Sequence, residues 1–255
     1  KSKQATSRKK ILDSITLEEM PASSRKYPYV GFEPEREAGK DILFVEGITK
    51  TVDGVKVLDN VSFIANKGDK IALVGENEAG QTALFKILTG EMKPDAGSFQ
   101  WGVSTSQSYF PQDNSAFFEG FDEDLICWLR QYSEDTTETY LRGFLGRMLF
   151  SGDEVYKPAK VLSGGEKVRC MLSRMMMTHA NVLLLDQPTN HLDLESIQAL
   201  ADGLARFPGN LLFSSHDHQF IAEIANRIIE LPLGEPGCLD RTGTYEEFLE
   251  WKHNR

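Results

Sequence analysis

The chain has 255 residues, 40% of them hydrophobic and 26% charged, with 28 Lys and Arg against 38 Asp and Glu for a net charge of −10. That length suits one substantial domain with an appendage. The acidic balance excludes nucleic-acid binding over the whole surface, so any such contact must come from a local basic patch. Three widely spaced cysteines (Cys127, Cys170, Cys238) make no disulfide framework and point to a reducing cytoplasm. No apolar run is long enough to cross a bilayer, and no signal peptide is visible. The chain begins at Lys1 rather than Met, as expected of a piece of something longer.

In chain order, residues 1–27 carry seven basic side chains against three acidic ones, which makes this stretch +4 and leaves −14 for the rest. Lys1–Lys10 followed by Ile11, Leu12 and Ile15 predicts the end of a helix with a cationic face. Pro21, Ser23, Ser24, Pro28, Gly31, Pro34 and Gly39 make residues 21–40 a linker. Strands are expected at Ile42–Val45, Val57–Phe63 and Lys70–Val74, the last a buried-strand run ending in Gly75. A helix is expected at Leu84–Leu88. Residues 115–160, rich in aromatics such as Trp128, Tyr132, Tyr140, Phe144 and Phe150, read as mostly helical with those rings in the core. Strands recur at Val182–Leu185 and Leu211–Ser214, each followed by a helical pattern. This alternation predicts an α/β domain with a largely parallel sheet.

The chemistry sits at the strand ends. Gly75-Glu-Asn-Glu-Ala-Gly80-Gln81-Thr82 has the spacing of a phosphate-binding loop, G-x-x-x-x-G-K-[ST], with Gln81 where the lysine belongs. Such a loop aims backbone N–H groups and a helix N-terminus at phosphate, and its hydroxyl, here Thr82, ligates Mg²⁺. Gln81 donates a hydrogen bond but brings no charge, and Glu78 adds a negative one. Asn181–Leu185 is an apolar strand ending in Asp186, the Walker B arrangement that holds a metal. Leu162-Ser163-Gly164-Gly165-Glu166 opens a helix with a capping box, and Val168, Met171, Leu172, Met175 and Met176 form its apolar stripe. Ser214-Ser215-His216 puts a histidine at a strand tip.

Together with Gln112 in Tyr109-Phe-Pro-Gln112, these motifs resemble, in order and over about residues 41–235, the nucleotide-binding domain of ATP-binding cassette proteins. Asp186-Gln-Pro-Thr-Asn-His-Leu-Asp193 is similar to the ABC-F branch, whose members carry two cassettes joined by a helical linker. The resemblance implies a P-loop NTPase fold of mixed sheet, antiparallel β subdomain and helical subdomain (about 115–178). It makes 1–40 the linker end and 41–255 the second cassette, closed by a short helix after Thr242.

It implies ATP and Mg²⁺ as cofactors. Gly75, Asn77, Glu78, Ala79, Gly80, Gln81, Thr82 and Ala83 would hold the triphosphate, with Thr82, Gln112 and Asp186 at the metal. Position 187, where the water-polarising glutamate belongs, holds Gln187, and His216 would be the switch histidine; Gln187, His216 and Gln112 are the catalytic set. Ser163, Gly164 and Gly165 would bind the nucleotide of an opposing cassette packed head to tail (the first cassette of the same chain, or a second copy), with Glu166 among the nucleotide-binding residues and Asp193 in the loop between the two sites.

Four positions depart from the pattern. An amide at 187 cannot act as a general base, so hydrolysis slows, whether the residue is introduced or natural. Gln81 weakens phosphate binding, Ala83 replaces a hydroxyl, and Val52 stands where an aromatic residue stacks on adenine. The signature segment is intact, so it would serve the other cassette's site better than this loop serves its own. The resemblance implies a cytoplasmic ATPase acting at the ribosome in translation or antibiotic protection, with Lys1–Lys10 on ribosomal RNA phosphate and no membrane partner. The competing readings are the ATPase subunit of a membrane transporter and a nucleotide-poor dimer half with little hydrolysis.

Overall fold

The computed structural model describes residues 27–254. The basic segment Lys1–Lys10 lies outside the described residues.

Two sheets sandwich one helix. β1 (Asp41–Val52), β2 (Val55–Asn66) and β4 (Ala96–Trp101) form an antiparallel sheet in the order β2-β1-β4. On β2, Val61, Phe63 and Ala65 are buried while Ser62 and Ile64 face out, the period of a sheet with one face in the core. β3 (Lys70–Val74), β5 (Gln107–Phe110), β6 (Val182–Asp186), β7 (Asn210–Ser214), β8 (Arg227–Glu230) and β9 (Leu239–Thr242) form the second sheet, ordered β5-β6-β7-β3-β8-β9. All its pairings are parallel except β8–β9.

β6 and β7 are buried along their whole length, as strands covered on both faces must be. Their side chains alternate between two cores. Ile71, Leu73, Val182 and Leu184 face α1 (Glu78–Leu88) and the antiparallel sheet. Ala72, Val74, Leu183 and Leu185 face the other side, where α4 (Gly164–Met177) and α5 (Leu194–Arg206) pack. The α4 stripe predicted from sequence is buried at Val168, Met171, Leu172, Met175 and Met176.

Residues 115–160 contain less helix than expected: α2 (Leu125–Arg130) and α3 (Glu138–Arg147), with single 3₁₀ turns at Ser115–Phe117, Gly152–Tyr156 and Ala159–Val161. The interruption has a local cause. Asp135 Oδ1 accepts from both the backbone N–H and hydroxyl of Thr137, a turn that competes with helix. The core here is Trp128 stacked on Phe118 at 4.9 Å, with Phe150. Tyr140 is not core; it is 39% exposed. α6 (His218–Ile224) follows β7, and α7 (Tyr245–His253) closes the described chain behind a capping box from Thr244 to Glu247. Among the described residues no helix is long and apolar enough to cross a membrane.

Candidate nucleotide-binding site

The site forms where β3, β6 and β7 end together. After Val74 the chain turns at Gly75, whose φ of +102° is open to glycine and strained for other residues. Asn77 then caps α1. Its Oδ1 accepts from the Gly80 N–H at 3.0 Å, and its Nδ2 donates to the Val57 carbonyl of β2 at 2.7 Å. The Asn77 amide thus ties the loop to the antiparallel sheet. Gly80 is obligatory beside that tie: a Cβ there would stand 2.7 Å from the Val57 carbonyl oxygen.

Gln81 turns back into the loop. It is 2% exposed, and its Nε2 donates to the Gly75 carbonyl at 3.1 Å. An uncharged amide thereby staples the two ends of the loop together. Ala83 turns its methyl into the apolar core, and Val52 packs half-buried at the rim of that core.

Thr82, Gln112 and Asp186 converge from three elements. Thr82 Oγ1 donates to Asp186 Oδ2 at 2.7 Å and lies 3.3 Å from Gln112 Oε1. The other carboxylate oxygen of Asp186 accepts from Ser214 Oγ at 2.8 Å. Asp186 is 1% exposed. Burial pushes its carboxyl above the usual range, against the hydrogen bonds from Thr82 and Ser214 that favour the charged form. A hydroxyl, an amide oxygen and a carboxylate form a hard, all-oxygen donor set, the chemistry that suits Mg²⁺. These residues therefore fit the ion that the loop spacing implies.

Gln187 follows with φ +52°, buried, its N–H donating to Ser214 Oγ at 3.1 Å. Its Oε1 is buried with no hydrogen-bond partner among the described residues. An amide here neither takes a proton from water nor completes its own hydrogen bonding. His216, at the tip of β7, reaches across to Glu78 on the first turn of α1, with Nε2 to Oε1 at 3.2 Å. Between them lies a cleft of about 320 Å³ lined by Gly75, Glu76, Glu78, Ser215, His216 and Tyr245, among others.

The signature residues form a second group. Ser163 caps α4: its Oγ accepts from the Glu166 N–H at 3.3 Å while Glu166 Oε2 accepts from the Ser163 N–H at 2.8 Å. Lys157 bonds the other Glu166 oxygen at 3.0 Å. Gly164 and Gly165 lie against His191, and a Cβ on Gly165 would be 2.9 Å from the His191 carbonyl. Asp193 caps α5 through Ser196 N–H at 2.8 Å.

Ser214, His191 and the Val57 carbonyl are the components that sequence reasoning missed. The polar pair Ser214-Ser215 closing an apolar strand was the available signal for the first. Ala79, exposed on the first turn of α1, completes the expected set of loop residues.

A glycine-turned loop on β3, a capped helix after it and a carboxylate at the tip of β6 define a P-loop nucleotide-binding domain. The family model described as ABC transporter matches residues 58–190, and the chain belongs to that family. It is 65% identical over 251 residues to the "Uncharacterized ABC transporter ATP-binding protein YkpA" of Bacillus subtilis, covering 98% of this chain and 46% of that protein. It is 30% identical over 252 residues to "ABC transporter F family member 5" of Arabidopsis thaliana, covering 98% of this chain and 36% of that protein. It is 31% identical over 226 residues to the "Energy-dependent translational throttle protein EttA" of Haemophilus influenzae, covering 86% and 40%. The chain thus spans about half or less of the length of these relatives. A solved nucleotide-free ATP-binding cassette from an ABC transporter superposes with a TM-score of 0.63 at 19% identity, covering 83% of this chain and 95% of that one, which shows the fold. The chain is an ATP-binding cassette domain with a mixed sheet and an antiparallel β subdomain.

Proposed function

We propose that the chain is the second cassette, with the linker end, of a two-cassette ABC-F protein, and that it holds Mg-ATP at Gly75–Thr82 while hydrolysing it slowly. Thr82 meeting Asp186 at 2.7 Å and Gln112 at 3.3 Å, at the end of the loop, is the observation that carries this reading. Bound Mg²⁺ supplies charge neutralisation of the phosphates there. Thr82 and Asp186 orient that ion's ligand set, backbone N–H groups of the loop bind phosphate, and His216 donates to the terminal phosphate once released from Glu78. Gln187 hydrogen-bonds the attacking water without taking its proton. Ser163, Gly164 and Gly165 serve the nucleotide of the opposing cassette. Isothermal titration with Mg-ATP tests the reading: micromolar binding with turnover below about 0.1 per second is expected, and absence of binding refutes it.

The whole protein would act in the cytoplasm on the ribosome. The ABC-F resemblance of Asp186–Asp193 and the likeness to a protein named as a translational throttle support this. Lys1–Lys10 would meet RNA phosphate, so ribosome association should weaken steeply with salt; salt-insensitive association overturns the RNA contact. A second reading, a dimer half that scarcely binds its own nucleotide, is favoured by Gln81 folding onto Gly75 and by the negative Glu78 beside the loop.

A further inference from the structure

A carboxylate from β8 also lies against the loop. Glu230 ends β8, which runs parallel to β3 with Glu230 paired to Val74. Its side chain lies flat on Gly75: a Cβ there would meet Glu230 Cγ at 3.0 Å and Oε1 at 3.2 Å. Oε1 accepts from Lys252 Nζ on α7 at 2.7 Å. Oε2 is buried and has no hydrogen-bond partner among the described residues. The Glu230 side chain is only 13% exposed, so solvent screens its charge poorly. Tyr245, at the other end of α7, walls the cleft shared by Gly75, Glu78 and His216, and packs edge-on to His218 at 5.3 Å. One helix therefore reaches Glu230 at one end and lines the cleft beside Gly75 at the other.

A carboxylate pressed on the backbone that would cradle a triphosphate repels it unless a cation offsets the charge. Gln81 supplies no such charge within the loop. We propose that Lys252 is a positioning residue: it holds Glu230 against Gly75 and cancels its charge, so that α7 sets the affinity of the loop for a nucleoside triphosphate. This rests on the reading that Gly75–Thr82 takes Mg-ATP.

Mg-ATP affinity is measured by titration calorimetry for the parent chain, Lys252→Gln, Glu230→Gln and the double variant. Lys252→Gln should weaken binding by about three- to tenfold, from one uncompensated charge at short range. Glu230→Gln alone should not weaken it, and the double variant should return to within about twofold of the parent. A double variant as weak as Lys252→Gln would make Lys252 a packing residue only and overturn the proposal. Hydrogen exchange of the 75–80 amides without nucleotide is the second measurement. Lys252→Gln and the double variant both lose the Lys252–Glu230 bond and should speed it, whereas Glu230→Gln, whose amide oxygen still accepts from Lys252, should not; unchanged exchange in Lys252→Gln overturns the positioning role. If the parent takes up no Mg-ATP, the nucleotide reading fails, and exchange alone decides the role of Lys252.

Discussion

Asp186→Asn should stabilise the nucleotide-free protein while destroying its response to Mg-nucleotide. The Asp186 carboxylate is 1% exposed and is met by two hydroxyls, Thr82 at 2.7 Å and Ser214 at 2.8 Å. Among the described residues no ion pair reaches it. Asparagine keeps both contacts: Oδ1 accepts from Ser214, and Nδ2 donates to the Thr82 oxygen, whose hydrogen then turns to Gln112 Oε1 at 3.3 Å. Two charge-assisted bonds become ordinary ones, a loss of about 1 kcal/mol each. Against that, a buried carboxylate with no ion-pair partner, only the longer-range field of Lys86, costs several kcal/mol. The net gain is about 1–2 kcal/mol, or a melting temperature higher by roughly 4 °C for a chain of this length. The pH dependence fixes the sign. The folded-state pKa of Asp186 is raised by burial, so the parent binds this proton more tightly when folded. Its stability from this group is present at low pH and lost as pH rises through the folded value. The advantage of Asp186→Asn should therefore be smallest at the acid end of a scan from about pH 3.5 to about pH 8 and grow as pH rises. Scanning calorimetry with a chelator across that range measures it. Saturating Mg-ATP should reverse the order, adding about 2.7 kcal/mol to the parent at a hundred times Kd and much less to the variant. A variant that melts at or below the parent at pH 8 without Mg²⁺ refutes the reasoning.

Gln81→Lys should tighten Mg-ATP binding about tenfold or more, because an ammonium replaces an amide at the Gly75 carbonyl; equal affinities in calorimetry sink the idea that this loop is charge-deficient. Gln187→Glu should raise steady-state hydrolysis about a hundredfold by supplying a general base, and an unchanged phosphate-release rate would assign slow turnover to the loop instead. Asn77→Ala should lower stability by about 1–3 kcal/mol in chemical denaturation, since it removes the cap on Gly80 and leaves the Val57 carbonyl without its donor.

The motifs were legible because each is local. Ser163 and Glu166 cap α4 across three residues, and the Gly75–Thr82 spacing is the loop itself. Short strands with polar ends were not: β9, at the sheet edge, is Leu-Asp-Arg-Thr, and β8, between β3 and β9, is four residues with a charge at each end. Arg227 and Asp240 pair at 2.8 Å across those strands, a bond between positions that have no apolar pattern to announce them. The direction of Gln81 was also illegible. Its missing charge is a fact of composition, whereas its turn onto the Gly75 carbonyl depends on the packed core around α1.

What joins the motifs is strand order. Thr82 and Asp186 are 104 residues apart. They meet because β6, β7 and β3 are neighbours and parallel, so their carboxyl ends open on one edge of the sheet, where ligands of open α/β sheets bind. Register then does the rest: Asp186 pairs with Ser214, and Leu73 pairs with Ser214 from the other side. Ser214 is thus the central strand's contribution to the site, fixed by topology as the partner of the carboxylate. The same logic places Glu230, on the strand beyond β3, against Gly75. A loop motif names the atoms that can hold phosphate; the strands on either side of it determine the charge those atoms feel.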